Sequence, residues 1–188
     1  MLSFTIKLYL CFCTKLRPIV TPVLDGKGVK VQYKDLVKMT VESALNVASK
    51  NKSLDDAGIL EMIFKDGGDG AGQQVVWKST SMIDAKENIF QYGITPLKLI
   101  RKEIDGEIEV LWEIHTPNAC KTLRPLFLIR ESESDPDLLN LVIPATDEAH
   151  KELVVDGVCA QVGEVCIDVN ITINDSMKDL KFTKSYLV

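Results

Sequence analysis

The chain has 188 residues, of which 46% are hydrophobic and 26% charged, a composition that fits one globular domain and excludes wholesale disorder. Its formal net charge of −5 excludes a uniformly basic nucleic-acid binder. Residues 1–58 carry nine basic and five acidic side chains, whereas residues 59–188 carry 13 basic and 22 acidic ones, a net charge of −9. No apolar run approaches the roughly 20 residues that a membrane-spanning helix needs, so we expect no membrane association.

The first predicted elements are a leader and linker over residues 1–29, marked by Pro18, Pro22, Gly26 and Gly28. Residues 33–50 carry apolar side chains at helical spacing and predict a helix. Short apolar runs over residues 59–65 and 74–78 then predict two strands. The glycine-rich residues 66–72 between them predict the turn of a hairpin.

The second half of the chain also predicts strands and helices. Residues 93–102 and 108–115 predict a hairpin around Asp105-Gly106, and residues 125–130 predict a short strand. Residues 136–155 predict a helix that Pro144 divides in two, and residues 158–173 alternate Val and Ile with polar residues, as strands do. The order predicts a mixed α+β domain of the α/β type. We divide it into the leader and linker 1–29, a helical segment 30–58 and a core 59–188.

The cysteines and histidines predict no metal site of their own. The five cysteines are an odd number without a C-x-x-C pair, which favours reduced, buried thiols over a disulfide framework or a zinc site. We therefore expect no zinc in this chain. His150 stands among charged residues and is interpreted as part of a solvated helix face. The cysteines are Cys11, Cys13, Cys120, Cys159 and Cys166.

The segment that offers a candidate catalytic residue is Lys65-Asp66-Gly67-Gly68-Asp69-Gly70. It lacks the oxygen ligands of an EF-hand loop, the Gly-Lys-Ser/Thr ending of a P-loop, and the helix that follows a dinucleotide-binding loop. Two interpretations remain open. Asp66 and Asp69 are turn formers of a hairpin, or Asp66 is a metal-binding carboxylate at the end of a buried strand.

The metal hypothesis needs further carboxylates near Asp66. The next buried strand, residues 125–130, runs into Glu131-Ser132-Glu133, so Glu131 and Glu133 are the candidates. A strand-end acid, two hairpins, a second strand-end acid and a helix form the order expected of a ribonuclease H-like nuclease core. As with Asp66, Glu131 and Glu133 can also be read as a solvated acidic loop.

Four motifs in one order carry a resemblance to a known family. The chain resembles the catalytic core of V(D)J recombination-activating protein 1 and its relatives, the Transib-type DNA transposases, over about residues 30–182. The motifs are Lys65-Asp66-Gly67-Gly68-Asp69-Gly70-Ala71-Gly72, Pro117-Asn118-Ala119, Arg124-Pro125-Leu126 leading to Glu131, and Met177-Lys178-Asp179-Leu180-Lys181-Phe182.

The resemblance implies a ribonuclease H-like fold with a DDE-type active site that uses Mg²⁺ or Mn²⁺ to nick double-stranded DNA and transfer strands. Asp66 matches the first catalytic Asp of the family. The second acid falls at Glu131 or Glu133, although an ungapped match gives Ser132. A homodimer and a nuclear location are also implied.

The resemblance further implies a third acid and a zinc-binding insertion, both downstream of the last matching motif and absent from this sequence. We therefore expect a ribonuclease H-like core that is incomplete at its C-terminus, the fragment of a recombinase that is inactive alone. The alternative is a non-catalytic DNA- or protein-binding module derived from a transposon. A third hypothesis, a plain α+β interaction domain with an acidic surface, is favoured by the charge of residues 59–188.

Overall fold

A computed structural model describes residues 19–54, 58–75, 86–119, 122–132 and 134–177, with the backbone alone for residues 69–75, 86, 87 and 175–177. The described residues form eight strands and two α-helices. The strands are β1 (Val20–Val23), β2 (Gly28–Val31), β3 (Ile59–Val75), β4 (Lys86–Lys102), β5 (Ile108–Glu113), β6 (Arg124–Ile129), β7 (Val158–Val162) and β8 (Val165–Met177), and the helices are α1 (Tyr33–Ala48) and α2 (Pro136–Asp156).

All eight strands belong to one mixed sheet. Seven of them follow the order β1-β2-β6-β4-β3-β8-β7, and β5 pairs with β4. β5 and β6 pair with successive parts of β4, at residues 98–102 and 90–94 respectively. The pairing of β3 with β8 is parallel, whereas the other pairings are antiparallel. The predicted mixed α+β class is therefore confirmed, and β3 lies between two long strands.

The two helices contact each other and pack against the sheet in one hydrophobic core. α1 buries Val37, Val41 and Leu45 completely, at the spacing that places one side chain per turn on the same face. α2 contributes the fully buried Leu138 and Val142 to the same core. In the part of the chain that the structure describes, neither helix is long and apolar enough to cross a membrane.

The expected linker contains a hairpin. Residues 20–31 form β1 and β2, which pair with each other, and β2 continues the sheet by pairing with β6. Gly26 turns the chain with a φ of +85°, a backbone conformation that glycine adopts without strain. Residues 1–18, which include the expected leader, lie outside the described residues.

The glycine-rich segment is strand and not turn. β3 runs without interruption from Ile59 to Val75, and residues 67–71 pair with β4. A Cβ atom on Gly68 would lie 2.9 Å from Phe90 Cζ and 2.9 Å from Tyr92 Cδ2. This glycine therefore makes room for two aromatic rings. The connection between β3 and β4 falls in residues 76–85, outside the described residues.

α2 is one helix, against the predicted division at Pro144. Asp135 caps its N-terminus by accepting hydrogen bonds from the backbone N–H groups of Asp137 and Leu138, at 2.9 and 3.0 Å. Pro144 lies inside the helix on an exposed position. The proline removes one backbone donor there, and the burial of the opposite face of α2 holds the helix together across it.

Two cysteines correct the expectation of reduced, buried thiols. Cys159 on β7 and Cys166 on β8 form a disulfide, and both are exposed. The register places each of them diagonally across the β7–β8 hairpin, with Cα atoms 6.0 Å apart, a distance that a disulfide spans. Cys11, Cys13 and Cys120 lie outside the described residues.

Candidate metal site at Asp66

Asp66 lies in the interior of β3, opposite Ile94 of β4, and not at a strand end as predicted. Its side chain is fully buried, with 0% exposure. The strand alternates its side chains between the two faces of the sheet, so Asp66 shares a face with the buried Phe64 and not with Lys65. A carboxylate in such a place is unfavourable unless other groups satisfy it.

Two side chains from two other elements contact the carboxylate of Asp66, and a third contacts one of these two. The Tyr92 hydroxyl of β4 donates a hydrogen bond to Asp66 Oδ2. The Nε2 atom of His150, on α2, lies 2.9 Å from the same oxygen. The Tyr33 hydroxyl, at the start of α1, lies 2.7 Å from that nitrogen. The network therefore ties both helices to the two central strands.

The geometry determines which group donates in this network. An imidazole nitrogen without a proton and a carboxylate oxygen are both acceptors and would repel each other at 2.9 Å. An ionised Asp66 therefore requires the imidazole proton on Nε2, and the Tyr33 hydroxyl, 2.7 Å away, is then a second acceptor for that N–H group. Burial raises the pKa of the Tyr92 phenol far above its ordinary value, and the negative charge of Asp66 raises it further, so Tyr92 also remains a donor.

The second oxygen of Asp66 has different surroundings. Oδ1 is buried and has no hydrogen-bond partner among the described residues. A carboxylate oxygen with free lone pairs is the ligand that Mg²⁺ and Mn²⁺ prefer, so this atom fits one position of a divalent-cation site. The described residues contain no group of three or more acidic, histidine or cysteine side chains that could hold a metal. Asp66 is thus one ligand of a site that needs others.

Glu131 is placed away from Asp66. It follows β6 and forms an ion pair with Lys27, whose pKa it raises through the hydrogen bond and its charge. Ile129 pairs with Phe90, and Phe90 pairs with Gly70, four residues beyond Asp66. At about 3.3 Å per residue, the end of β6 lies roughly 13 Å further along the sheet than Asp66.

The register therefore does not bring Glu131 beside Asp66, because metal–oxygen bonds of about 2.1 Å require the two carboxylates almost in contact. The physical reason is that β6 lies two strands away from β3 and extends well past the level of Asp66. Glu133, the other predicted ligand, lies outside the described residues.

A different acidic residue is beside Asp66 in the sheet. β8 runs parallel to β3, with Asn174 paired to Lys65 and Met177 paired to Gly67. The backbone of Asp175 consequently passes next to that of Asp66. Adjacent parallel strands bring equivalent ends together, and this rule is the signal by which β8 could have been preferred over β6 from the sequence.

Lys65 and Asn118, which belong to two of the motifs shared with the family, contact each other on the other face of β3. The ammonium group of the buried Lys65 donates a hydrogen bond to Asn118 Oδ1. The loop that carries Asn118 is fixed by Thr122, whose hydroxyl donates to the backbone oxygen of Ala119 at 2.6 Å. The strand that positions Asp66 is therefore supported from the opposite face as well.

Comparison with known protein families identifies the family of this chain. The family model of the recombination-activation protein 1 (RAG1) RNase H domain matches residues 62–187. The chain belongs to this family. The match confirms the predicted resemblance and the ribonuclease H-like fold, and it relates the chain to recombinases and transposases. A search of curated proteins finds no match.

The RAG1 RNase H domain match includes most of the Asp66 network but not all of it. Asp66, Tyr92 and His150 lie inside residues 62–187, whereas Tyr33 on α1 precedes them. The fourth group thus comes from a helix outside the matched part of the chain.

Three residues of this network were not predicted from the sequence. His150 was interpreted as part of a solvated helix face, which is wrong: its side chain is only 15% exposed and contacts both Asp66 and Tyr33. The signal was available, because Val142, Thr146 and His150 recur every four residues on the buried face of α2. Tyr92 and Tyr33 gave no such signal, since an isolated tyrosine in a strand or helix usually belongs to the core.

Proposed function

We propose that this chain is the divalent-metal-binding core of a DNA recombinase or transposase and that it does not cleave DNA by itself. The observation that carries the proposal is Asp66 Oδ1, a buried carboxylate oxygen without a partner among the described residues, at the centre of a RAG1-type RNase H domain. Leaving a buried acceptor unsatisfied is costly, and a bound cation would satisfy it.

The chemistry implied is metal-assisted phosphoryl transfer. A bound Mg²⁺ or Mn²⁺ supplies a Lewis acid that activates an oxygen nucleophile and stabilises the charge on the phosphate. The part of Asp66 is to hold the cation through Oδ1.

The second carboxylate of this site remains to be assigned. Glu131 and Glu133 are the predicted ligands, and the register of the sheet disfavours Glu131. The parallel neighbour β8 supports Asp175 instead, and Asp179, in the motif that follows β8 along the sequence, is a further candidate. We propose that a carboxylate from this region of the chain joins Asp66.

Double-stranded DNA is the proposed substrate, and a nuclear location and a homodimer of the intact protein go with it. Residues 59–188 carry a net charge of −9, which opposes a phosphate backbone. A divalent cation held by Asp66 would reduce this repulsion. DNA binding by this chain should accordingly depend on Mg²⁺ or Mn²⁺.

A second candidate function is a non-catalytic module that binds DNA or a protein. The complete burial of the Asp66 side chain favours it, because water and phosphate do not reach the carboxylate in this state. This module would bind its partner in EDTA, and the substitution Asp66→Asn would not affect binding.

Titration of Mn²⁺ into the 188-residue chain, followed by calorimetry, tests the proposal. We expect binding that Asp66→Asn abolishes and that Glu131→Gln leaves unchanged. Asp175→Asn and Asp179→Asn identify the second ligand by which of them weakens binding. Fluorescence anisotropy with a labelled DNA duplex, in Mg²⁺ and in EDTA, then separates the two functions. Absence of Mn²⁺ binding up to millimolar concentration, or binding indifferent to Asp66→Asn, would overturn the metal-binding core.

A further inference from the structure

The two carboxylate oxygens of Asp66 are treated unequally by their surroundings. Oδ2 accepts from the Tyr92 hydroxyl and lies 2.9 Å from His150 Nε2, whereas Oδ1 has no partner among the described residues. A carboxylate has about four lone-pair sites, two on each oxygen. Oδ2 is thus in contact with two polar groups, whereas no described residue uses the lone pairs of Oδ1.

This asymmetry fixes the orientation of the carboxylate. A partial rotation about the Cβ–Cγ bond of Asp66 would break the hydrogen bond from Tyr92 and the contact with His150. Polar groups from two different elements, β4 and α2, contact the same oxygen. Oδ1 is consequently presented in one direction, which is what a ligand needs before the cation arrives.

We infer that His150 and Tyr92 are positioning residues, which fix Asp66 so that Oδ1 faces the divalent cation. The inference rests on the proposed metal-binding function and adds the groups that prepare the ligand. Hydrogen bonds to a metal-binding carboxylate generally contribute about 10- to 100-fold to the affinity for the metal. His150 and Tyr92 act through Asp66 and do not touch the cation.

Tyr33 extends this arrangement to the first helix. Its hydroxyl lies 2.7 Å from His150 Nε2, and its ring meets the imidazole edge-on, with ring centroids 5.2 Å apart and an interplanar angle of 83°. His150 is thereby held between α1 and Asp66. Because Tyr33 precedes residues 62–187, the preparation of Asp66 depends on a helix outside the family match.

The position of His150 is also compatible with a second role, that of a barrier to the cation, and an experiment distinguishes the two roles. His150 contacts the fully buried Asp66, and 15% of the His150 side chain is exposed. If it were a barrier to the cation, removing the imidazole would strengthen metal binding. If it is a positioning residue, removing the imidazole weakens binding. The sign of the change in Mn²⁺ affinity decides between them.

The test is calorimetric titration of Mn²⁺ into the full chain and its variants. We expect His150→Ala to weaken binding at least tenfold and Tyr33→Phe to weaken it less. His150→Gln should restore most of the affinity, because its amide N–H can donate to Oδ2. The matched control is Val142→Ala, which removes two fully buried methyl groups from α2 and keeps all four side chains of the network. It should leave the affinity unchanged.

Each outcome bears on the inference. Unchanged or tighter binding by His150→Ala, with Asp66→Asn still abolishing binding, overturns the positioning role and leaves the metal-binding function intact. Equal weakening by Val142→Ala overturns it too, because the effect would then come from stability. If the unmodified chain does not bind Mn²⁺, or if Asp66→Asn does not affect binding, both proposals are overturned. Should His150→Ala fail to fold, Tyr92→Phe, which retains the ring, gives the same comparison.

Discussion

The Lys65 ammonium group and the side-chain oxygen of Asn118 form a hydrogen bond across 53 residues of sequence. Lys65 is buried, and it directly precedes Asp66 in β3. A buried cation is stable only when polar groups compensate for the loss of water. The loop around Asn118 therefore has a defined physical task, the satisfaction of a charge next to the candidate metal ligand.

Replacement of Asn118 tests this contact. Asn118→Ala removes the acceptor and leaves Lys65 without it, which should lower the free energy of unfolding by about 1–3 kcal/mol. Asn118→Asp keeps an acceptor oxygen and adds a negative charge, so it should retain most of the stability. Urea denaturation followed by circular dichroism measures both. Equal losses in the two variants would show that the Lys65 contact is not what matters at this position.

Gly68 should not tolerate a side chain. A Cβ atom there would lie 2.9 Å from Phe90 Cζ and from Tyr92 Cδ2, so Gly68→Ala forces two packed rings to move. Overpacking of this kind costs about 1–3 kcal/mol of stability. The double variant Gly68→Ala/Phe90→Leu removes part of the obstruction. Relative to Phe90→Leu alone, the alanine should then cost clearly less in the same denaturation experiment, and an undiminished cost would contradict the steric explanation.

Tyr92 should resist ionisation in alkaline solution. Burial and the charge of Asp66 raise its phenol pKa, so the folded chain keeps its proton where an unfolded tyrosine loses it, near pH 10. The stabilisation is therefore complete below about pH 10 and falls as the pH rises above that value. Ultraviolet titration should show the phenolate of Tyr92 only together with unfolding. In Tyr92→Phe this late step should disappear, and ionisation of Tyr92 in the folded protein would refute the buried hydrogen bond.

Glu61 affects the pH dependence of stability in acid, whereas Tyr92 affects it in alkaline solution. Burial works against its charged form, but hydrogen bonds from Lys102 and Thr172 outweigh burial and lower the pKa of the carboxyl. A lowered pKa stabilises the fold above the unfolded value near 4.3, and this stabilisation is lost as the pH falls below it. Thr172→Val removes one of the hydrogen bonds. Its stability should decline less steeply between about pH 4.5 and 3 than that of the parent chain, and a parallel decline would exclude this role of Glu61.

Local patterns in the sequence predicted the elements correctly where one periodicity dominates. The apolar spacing of residues 33–50 predicted α1, and the hairpin around Gly106, with its φ of +90°, was indicated by Asp105-Gly106. Pro144 and the glycines of β3 misled the prediction for a common reason. Both residue types break regular structure in isolation, whereas here the packing of neighbouring elements outweighs that preference.

The sequence predicted Asp66 as a candidate metal ligand, but it did not predict the residues that contact Asp66. Asp66 followed from its position behind an apolar run and from the family motif. Its partners Tyr92 and His150 come from other elements, and no pattern local to them reports that they meet at Asp66. The assignment of Glu131 assumed that the next apolar strand along the chain is also the next in the sheet. The parallel pairing of β3 with β8 places a much later segment beside Asp66.

The parallel pairing of β3 with β8 determines when the sheet can form during synthesis of the chain. The bond from Thr172 to Glu61 joins residues 111 positions apart, so β3 waits for its neighbour until almost all of the described chain has left the ribosome. Until then the edge of β3 that will receive β8 is open, and contacts so distant in sequence form slowly. Nascent chains should therefore depend on chaperones late in translation, and slower decoding of the codons for residues 130–160 would prolong this vulnerable interval.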